Sequence, residues 1–378
     1  MKVINHINNT SVIVSLTSFP ARIASVPAAV RSLLRQSVQP EKIVLWLAEE
    51  EFPGREAGLP GNLLELVSDQ FNILWCENIF SYKKLIPALK QFPDAVVITA
   101  DDDIIYPVDT IESLMRGYSE RPNCIQTHRL TKMKYEQGSF NFEAVRVTGN
   151  AYSMPSYLHK LTGAGGVLYP PKCFHEDVLK KVRFMNLAPT NDDLWFWLMG
   201  ALAGFKVNAV EGRVDTLNYI PGTQDGPCLW KNNNMGERRF IQQLNNIMKE
   251  YPQLYDLFFE EQMKMDKIDF GRAVCITPGE LESYQSVIIY GAGSAGKRIK
   301  RIIERVCVDI KITAWAVSDK NKGLDEMDGI PVQSIFSLTE RRNDAALLIA
   351  STIEANRTEM WDTANELGFT NIYPVYPR

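Results

Sequence analysis

The sequence has no apolar run as long as the roughly 18 residues that a membrane-spanning helix needs. Its opening stretch, MKVINHINNTSVIVSL, lacks the basic segment, the apolar core and the small-residue cleavage site of a secretory signal, so a cytoplasmic protein is the expectation. Cysteine is sparse: Cys76, Cys124, Cys173, Cys228, Cys275 and Cys307 are scattered along 378 residues, which favours reduced thiols over a disulfide framework or a zinc cluster. Histidine is scarcer still, and His128, His159 and His175 show no paired metal-ligand spacing; they read as structural or surface residues. A surplus of positive charge is also missing. The formal net charge of -4 disfavours duplex nucleic acid as the main partner, while local binding of an acidic ligand stays open. What is present is an apolar content of 45%, enough in a chain of this length for two globular domains.

Along the first half, β-rich runs alternate with helical stretches: SVIVSLT, VPAAVRSLLRQ, KIVLWLA, NLLELVSD, FNILWC, YKKLIPALKQF and AVVITA. Such a βαβα series predicts a parallel sheet with helices on its faces and ligands bound beyond the carboxyl ends of the strands. Asp101 falls at such an end, in VVITADDDIIYP, where three carboxylates follow a buried-strand pattern. One explanation is a solvated turn that caps the next helix. A turn needs only one Asp, however, and adjacent like charges repel. A hard divalent cation, Mn2+ or Mg2+, removes that repulsion; such ions are held by one or two carboxylates together with diphosphate oxygens and water. In an extended segment Asp101 and Asp103 point to the same side and form the metal pair, while Asp102 points away toward a ribose or sugar.

Strand-Asp-x-Asp after an N-terminal βαβαβ series resembles the GT-A fold of nucleotide-sugar glycosyltransferases. Six blocks in order, SVIVSLTSFPARI, IVLWLAEEEFP, WCENIFSYKKLIPAL, ITADDDIIYP, TGAGGVLYPP and PTNDDLWFW, resemble a bacterial family near glycosyltransferase family 2 that builds cell-surface polysaccharide such as capsule or lipopolysaccharide. The resemblance covers roughly the first 250 residues and implies transfer of a hexosyl group from a nucleotide-sugar donor to a glycan or lipid-linked glycan. Two features depart from it. An acidic-Gly-Ser turn is replaced by Ala48-Glu49-Glu50-Glu51, and no Gln-x-x-Arg-Trp block occurs, which argues against a processive synthase.

In PTNDDLWFWLMGALAGF, Thr190, Asn191, Asp192 and Asp193 suit a helix N-terminus, where carboxylates meet the positive end of the dipole. An inverting transfer needs a base for the acceptor hydroxyl, and in the family this resembles an acid at such a helix start serves. The analogy favours Asp193 as base, with Asp192 as the cap. It also puts the acceptor beside Gly165, Gly166 and Trp195; a turn before a buried strand is the plain alternative for Gly163, Gly165 and Gly166. Nucleotide contacts are expected from Thr17, Ser18 and Arg22, from Lys83 and Lys84, and from Asp101 and Asp102. Trp230 and Lys231, in a Gly-, Pro- and Asn-rich loop, are candidates to close over the nucleotide.

GERRFIQQLNNIMKEYPQLYDLFFEEQMKMD reads as a charged helix packed on the catalytic domain. A new βα pattern follows: SVIIYGAGSAGKRIKRIIERV, KITAWAVSD, AALLIAS, TEMWDTANELGF and NIYPVY. The expected organisation is therefore α/β throughout, with a GT-A domain over 1–240, a helical linker over 241–284 and a smaller Rossmann-like domain over 285–378. Gly291, Gly293 and Gly296 follow a strand and open a helix, and Asp319 ends the next strand, as in a dinucleotide fingerprint. Only one mononucleotide-binding half is present, which points to docking or regulation rather than NAD binding. An NAD-dependent sugar oxidoreductase or epimerase leaves the DDD cluster unexplained, and a non-catalytic carbohydrate-binding protein leaves the intact acids unexplained. A metal-dependent nucleotidyltransferase would usually show a Gly-rich basic loop near the N-terminus, which TSFPARI is not. A soluble chain can still associate peripherally with the inner face of a membrane if its acceptor is lipid-linked.

Overall fold

A computed structural model describes residues 10–136, 138–148, 154–210, 217–224, 239–307, 309–318 and 325–376, with 141–148 described by backbone alone. The chain divides into two compact units, residues 1–259 and 260–378.

In the first unit the β-branched runs become strands β1 (Val12–Thr17), β2 (Lys42–Ala48), β3 (Phe71–Cys76) and β4 (Val96–Thr99), all parallel. With β5 (Cys124–Thr127), β9 (Val167–Tyr169) and β10 (Lys206–Ala209) they form a seven-stranded sheet in the order β10-β5-β9-β4-β1-β2-β3. Strand β9 runs antiparallel to both β4 and β5. Helices α1 (Val26–Leu33) and α4 (Thr110–Glu120) send Val26, Val30, Leu33, Ile111, Leu114 and Met115 into one core with Val14, Leu16, Leu45 and Ile98 of the sheet. The α/β class and the parallel βαβ series expected for this half are thus present.

Local details differ. NLLELVSD yields only one helical turn, α2 (Gly61–Leu64), and YKKLIPALKQF splits into a tight turn over Phe80–Lys84 and helix α3 (Ile86–Gln91), whose first turn takes Pro87 where no amide bond is needed. Strands β6 (Arg129–Glu136), β7 (Ser139–Thr148) and β8 (His159–Leu161) form a separate antiparallel sheet that the sequence reading does not contain. Helices α5 (Lys181–Leu187) and α6 (Asp192–Leu202) follow. The single helix expected after residue 235 is two, α7 (Arg239–Glu250) and α8 (Gln253–Ala273), because Pro252 lacks the amide hydrogen needed to continue the first. Helices α7 and α8 occupy much of the segment 241–284, and the division between units falls inside α8.

After the short turn α9 (Pro278–Leu281), the second unit builds a six-stranded sheet from β11 (Ser286–Tyr290), β12 (Ile312–Val317), β13 (Glu326–Met327), β14 (Ile330–Ser334), β15 (Ala345–Ala350) and β16 (Ile372–Val375). Its order is β13-β14-β12-β11-β15-β16, parallel except for the β13-β14 hairpin. That hairpin turns on Asp328 and Gly329, both at positive φ (54 and 75), the conformation an Asp-Gly turn provides. Alternating residues serve two cores. Val287, Ile289 and Leu348 pack with Ile299 and Ile303 of α10 (Ser294–Val306), and Ile288, Leu347 and Ile349 pack with Ala364 of α11 (Glu354–Glu366) and with Phe369.

Candidate active site

The carboxyl ends of β1 and β4 lie side by side, since Ser15 pairs with Thr99. Beyond β1 the chain reaches Arg22, and beyond β4 it reaches Asp101 to Asp103. These acids do not continue an extended strand: the chain turns at Asp102 and Asp103 before Ile104 bridges Tyr219. The turn replaces the side-to-side alternation of an extended segment. Asp102 and Asp103 converge on one Arg22 nitrogen, with oxygens at 3.1 and 2.9 Å, and Asp101 is directed to Lys84 instead. The Asp101 amide donates to the Tyr106 hydroxyl at 2.7 Å. Ser18 donates to Asp102 at 2.5 Å, and Gln224 donates to Asp103 at 2.8 Å.

Lys84 occupies the centre. Its ammonium lies 3.6 Å from Asp101, 3.1 Å from Asp192 and 3.7 Å from Asp193, so it joins two acidic motifs that are far apart in sequence. Burial alone would lower its pKa, but Asp192, Asp101 and Asp193 raise it well above the ordinary range, so it stays charged. Asp101 is pushed up to about 6, chiefly by burial and further by the neighbouring acids, with Lys84 opposing. Burial also raises Asp102 and Asp103 against the pull of Arg22.

On the far side, α6 begins at Asp192. The N-cap is Asn191, whose side chain accepts from the Leu194 amide at 3.2 Å, and not Asp192; the asparagine has the non-helical backbone that a cap requires. Asp192 is thereby free to accept from Ser81 at 2.8 Å and to face Lys84. Asp193 accepts from the Gly163 amide at 2.8 Å and keeps 21% of its side chain exposed, against 7% for Asp192. A Cβ on Gly163 would stand 2.7 Å from the Asp193 carboxylate and 2.8 Å from the Lys84 ammonium, so any side chain here would displace one or both charged groups. Buried Tyr169 lies close enough to Asp193 and Lys84 for their charges to act on its hydroxyl.

The other expected contact residues have partners within the fold. Lys83 is 2% exposed and is spent on Glu51 and, at 3.5 Å, the Ser18 carbonyl, so it does not face the acids. Thr17 donates to the Trp46 carbonyl at 2.7 Å. Gly165 and Gly166 adopt positive φ (101 and 98) but are buried; the Gly165 carbonyl bonds His128 at 2.9 Å, and a Cβ on Gly166 would face Leu114 and Thr110. Trp195 is fully buried, with its indole nitrogen donating to the Val178 carbonyl at 3.2 Å, because α6 is enclosed on every side from Leu194 to Ala201. None of these three offers an acceptor a surface. Trp230, Lys231 and Asp319 lie outside the described residues. The sequence reading gave Ser18 and Lys84 only as nucleotide contacts and passed over Ser81, Tyr106, Tyr169 and Gln224.

Ion pairs bring two cations, Arg22 and Lys84, to five carboxylates, which leaves an excess of three negative charges. Among the described residues no three His, Cys, Asp or Glu side chains converge as a complete metal site. Carboxylate oxygens with excess negative charge are the donor chemistry of a hard divalent cation, which takes one or two carboxylates with substrate oxygens and water as further ligands.

In the second unit, two glycines of GAGSAG serve packing. A Cβ on Gly291 (φ 116) would lie 2.2 Å from the Ala350 carbonyl, and one on Gly296 would lie 2.0 Å from the Gly291 carbonyl. Among the described residues nothing stands within 4 Å of a Cβ on Gly293.

No family model matches the chain, and no curated protein matches it. Solved structures resemble it distantly. The mannosyltransferase PcManGT from Pyrobaculum calidifontis, in complex with GDP-Man and Mn2+, is 13% identical over 34% of this chain and 36% of its own, with a TM-score of 0.27. S. aureus TarS is 14% identical over 56% and 59%, with a TM-score of 0.32. The inositol-1-phosphate CTP transferase from T. maritima is 12% identical over 64% and 97%, with a TM-score of 0.35. This chain thus spans about a third of the mannosyltransferase and under two thirds of TarS. The fold described above rests on strand order and direction. Among the described residues no helix is long and apolar enough to cross a membrane.

Proposed function

We propose that the first unit is a GT-A glycosyltransferase that moves a hexosyl group, with inversion, from a nucleotide-sugar to a glycan or lipid-linked glycan in the synthesis of cell-surface polysaccharide. One observation carries this reading: beyond the carboxyl ends of parallel strands, Asp101 meets Asp192 and Asp193 of the α6 start around Lys84, while Asp102 and Asp103 converge on Arg22. Asp101 and Asp103 would hold Mn2+ or Mg2+. When bound, the cation stabilises charge on the departing nucleoside diphosphate. Arg22 orients Asp102 and Asp103 and adds positive charge on the same side. Asp193, the more exposed acid of its pair and fixed by the Gly163 amide, accepts the acceptor hydroxyl's proton as that oxygen attacks the anomeric carbon.

Ligand binding to the native state raises its melting temperature by mass action. The reading is tested by thermal shifts of the full chain with UDP-, GDP-, CMP- and dTDP-sugars, NAD and NADP, each with and without Mn2+. The expected result is a Mn2+-dependent shift with one nucleotide-sugar that Asp103→Ala abolishes. A shift with NAD or NADP alone, indifferent to Mn2+, overturns it.

A further inference from the structure

The glycosyltransferase reading assigns the acids but leaves Lys84 without a part. Its backbone is pinned, since the Ser15 hydroxyl donates to its carbonyl at 2.6 Å. Its ammonium rests against the Gly163 Cα side, where any Cβ would stand 2.8 Å away. The three carboxylates are not equivalent partners. Asp192, itself anchored by Ser81, is the nearest at 3.1 Å, and Asp101 and Asp193 stand at 3.6 and 3.7 Å, all three near enough for charge attraction. The cation therefore lies nearest an acid of the acceptor side and within ion-pair reach of the donor side.

We infer that Lys84 is a positioning residue shared by the two halves of the site: it balances Asp101 while the donor site is empty, and when Asp101 takes a divalent cation with the donor, its charge is left to Asp192 and Asp193. This rests on the reading proposed above. Asp101 exchanges one counter-charge for another, while Asp192 and Asp193 keep theirs, so filling the donor side leaves the base in place beside the Gly163 amide. The arrangement has a signature that plain structural support does not share. An ammonium beside Asp101 opposes a divalent cation there, so its removal should tighten metal binding even as it disorders the base.

The experiment titrates Mn2+ alone into the full chain by calorimetry and, separately, measures Mn2+-dependent turnover of the donor identified by thermal shift. In Lys84→Met the Kd for Mn2+ is expected to fall about tenfold, while kcat falls at least about thirtyfold and donor KM changes less than about threefold. Removing the lysine alone strands buried carboxylates, so Lys84→Met combined with Asp192→Asn provides a second variant with less uncompensated charge; it too should bind Mn2+ more tightly than wild type. Equal or weaker Mn2+ binding in both, or no binding by any of the proteins at millimolar Mn2+, overturns the inference. Tighter binding in the variants with a wild type that turns over no nucleotide-sugar removes the glycosyltransferase reading and leaves the shared cation. An active wild type with unchanged Mn2+ affinity in the variants does the reverse.

Discussion

The two units run parallel strands into first βα loops of opposite chemistry. In the first, the ends of β1 and β4 deliver Arg22 and three aspartates, and the acids outnumber the cations they share. In the second, the loop after β11 closes on backbone: Gly291 lies against the Ala350 carbonyl and Gly296 against Gly291 itself. The same architecture thus gathers charge at one loop and packs tightly at the other. Chemistry follows the residues at the strand ends and not the sheet. The largest effect should come from the charged loop's partner. Asp193→Asn is expected to lower kcat for transfer by a factor on the order of 10³ while leaving the thermal shift with nucleotide-sugar intact, since general base catalysis contributes about 10² to 10⁴. Normal transfer by that variant would remove Asp193 from the role.

At the packed loop the expected loss is in stability. Gly291→Ala meets a carbonyl oxygen that belongs to a strand and cannot swing aside, and its φ of 116 is strained for any side chain. A loss of about 3 kcal/mol in the second unit is expected in urea unfolding, the size typical of backbone clashes at special φ/ψ. Turnover by the folded protein should be unchanged. A reduced kcat in folded Gly291→Ala would break the comparison by giving the glycine loop a part in the reaction.

These contrasts show what could be read in advance. Acid clusters after β4 and at the start of α6 were legible because like charges seldom crowd a strand end or helix start without reason. The β1 to β4 series was legible from its alternation of apolar runs. Which lysine enters the site was not: in a tight turn such as Phe80–Lys84, successive side chains point about 120° apart, so Lys83 and Lys84 face different surroundings and composition cannot choose between them. The direction of Asp102 was hidden for a similar reason, since the alternation rule holds only while the strand continues. Strands β6 and β7 went unread, as antiparallel pairs with polar residues give a weak signal, and Gly163 showed its function only through the atoms it would displace.

The units also differ in how they should answer acid, because every histidine of the chain lies within residues 1–259. Burial lowers the His128 pKa to about 4, with its bond to the Gly165 carbonyl opposing, and its other ring nitrogen lies 2.7 Å from the Ser113 hydroxyl. The folded value is below the ordinary 6.5, so the unfolded chain takes up a proton first. The contribution of His128 to stability is therefore intact above pH 6.5 and is lost as pH falls toward 4. Linkage puts the loss between pH 7 and pH 5 at about 2 kcal/mol. Comparison of wild type with His128→Gln at both pH values cancels the other titrating groups; the variant should lack that part of the loss in the first unit's transition. Equal pH slopes in the two proteins would mean that His128 is as free to protonate in the folded state as in the unfolded.

The smallest effect falls within GAGSAG itself. Gly293 is the N-cap of α10, with φ -83 and ψ -166, a conformation open to any residue, and no side chain caps the helix there. Among the described residues the space around its missing Cβ is clear, unlike that at Gly291 and Gly296. Gly293→Ser should accordingly find room and supply the hydroxyl that accepts from an amide in the first turn. A serine cap exceeds glycine by only a few tenths of a kcal/mol, so a slight rise in the second unit's denaturation midpoint is expected. A loss above about 1 kcal/mol would show that all three glycines are packing residues and that the loop is closed along its whole length. A slight gain would separate them, with Gly291 and Gly296 setting the strand-helix spacing and Gly293 leaving the helix N-terminus accessible.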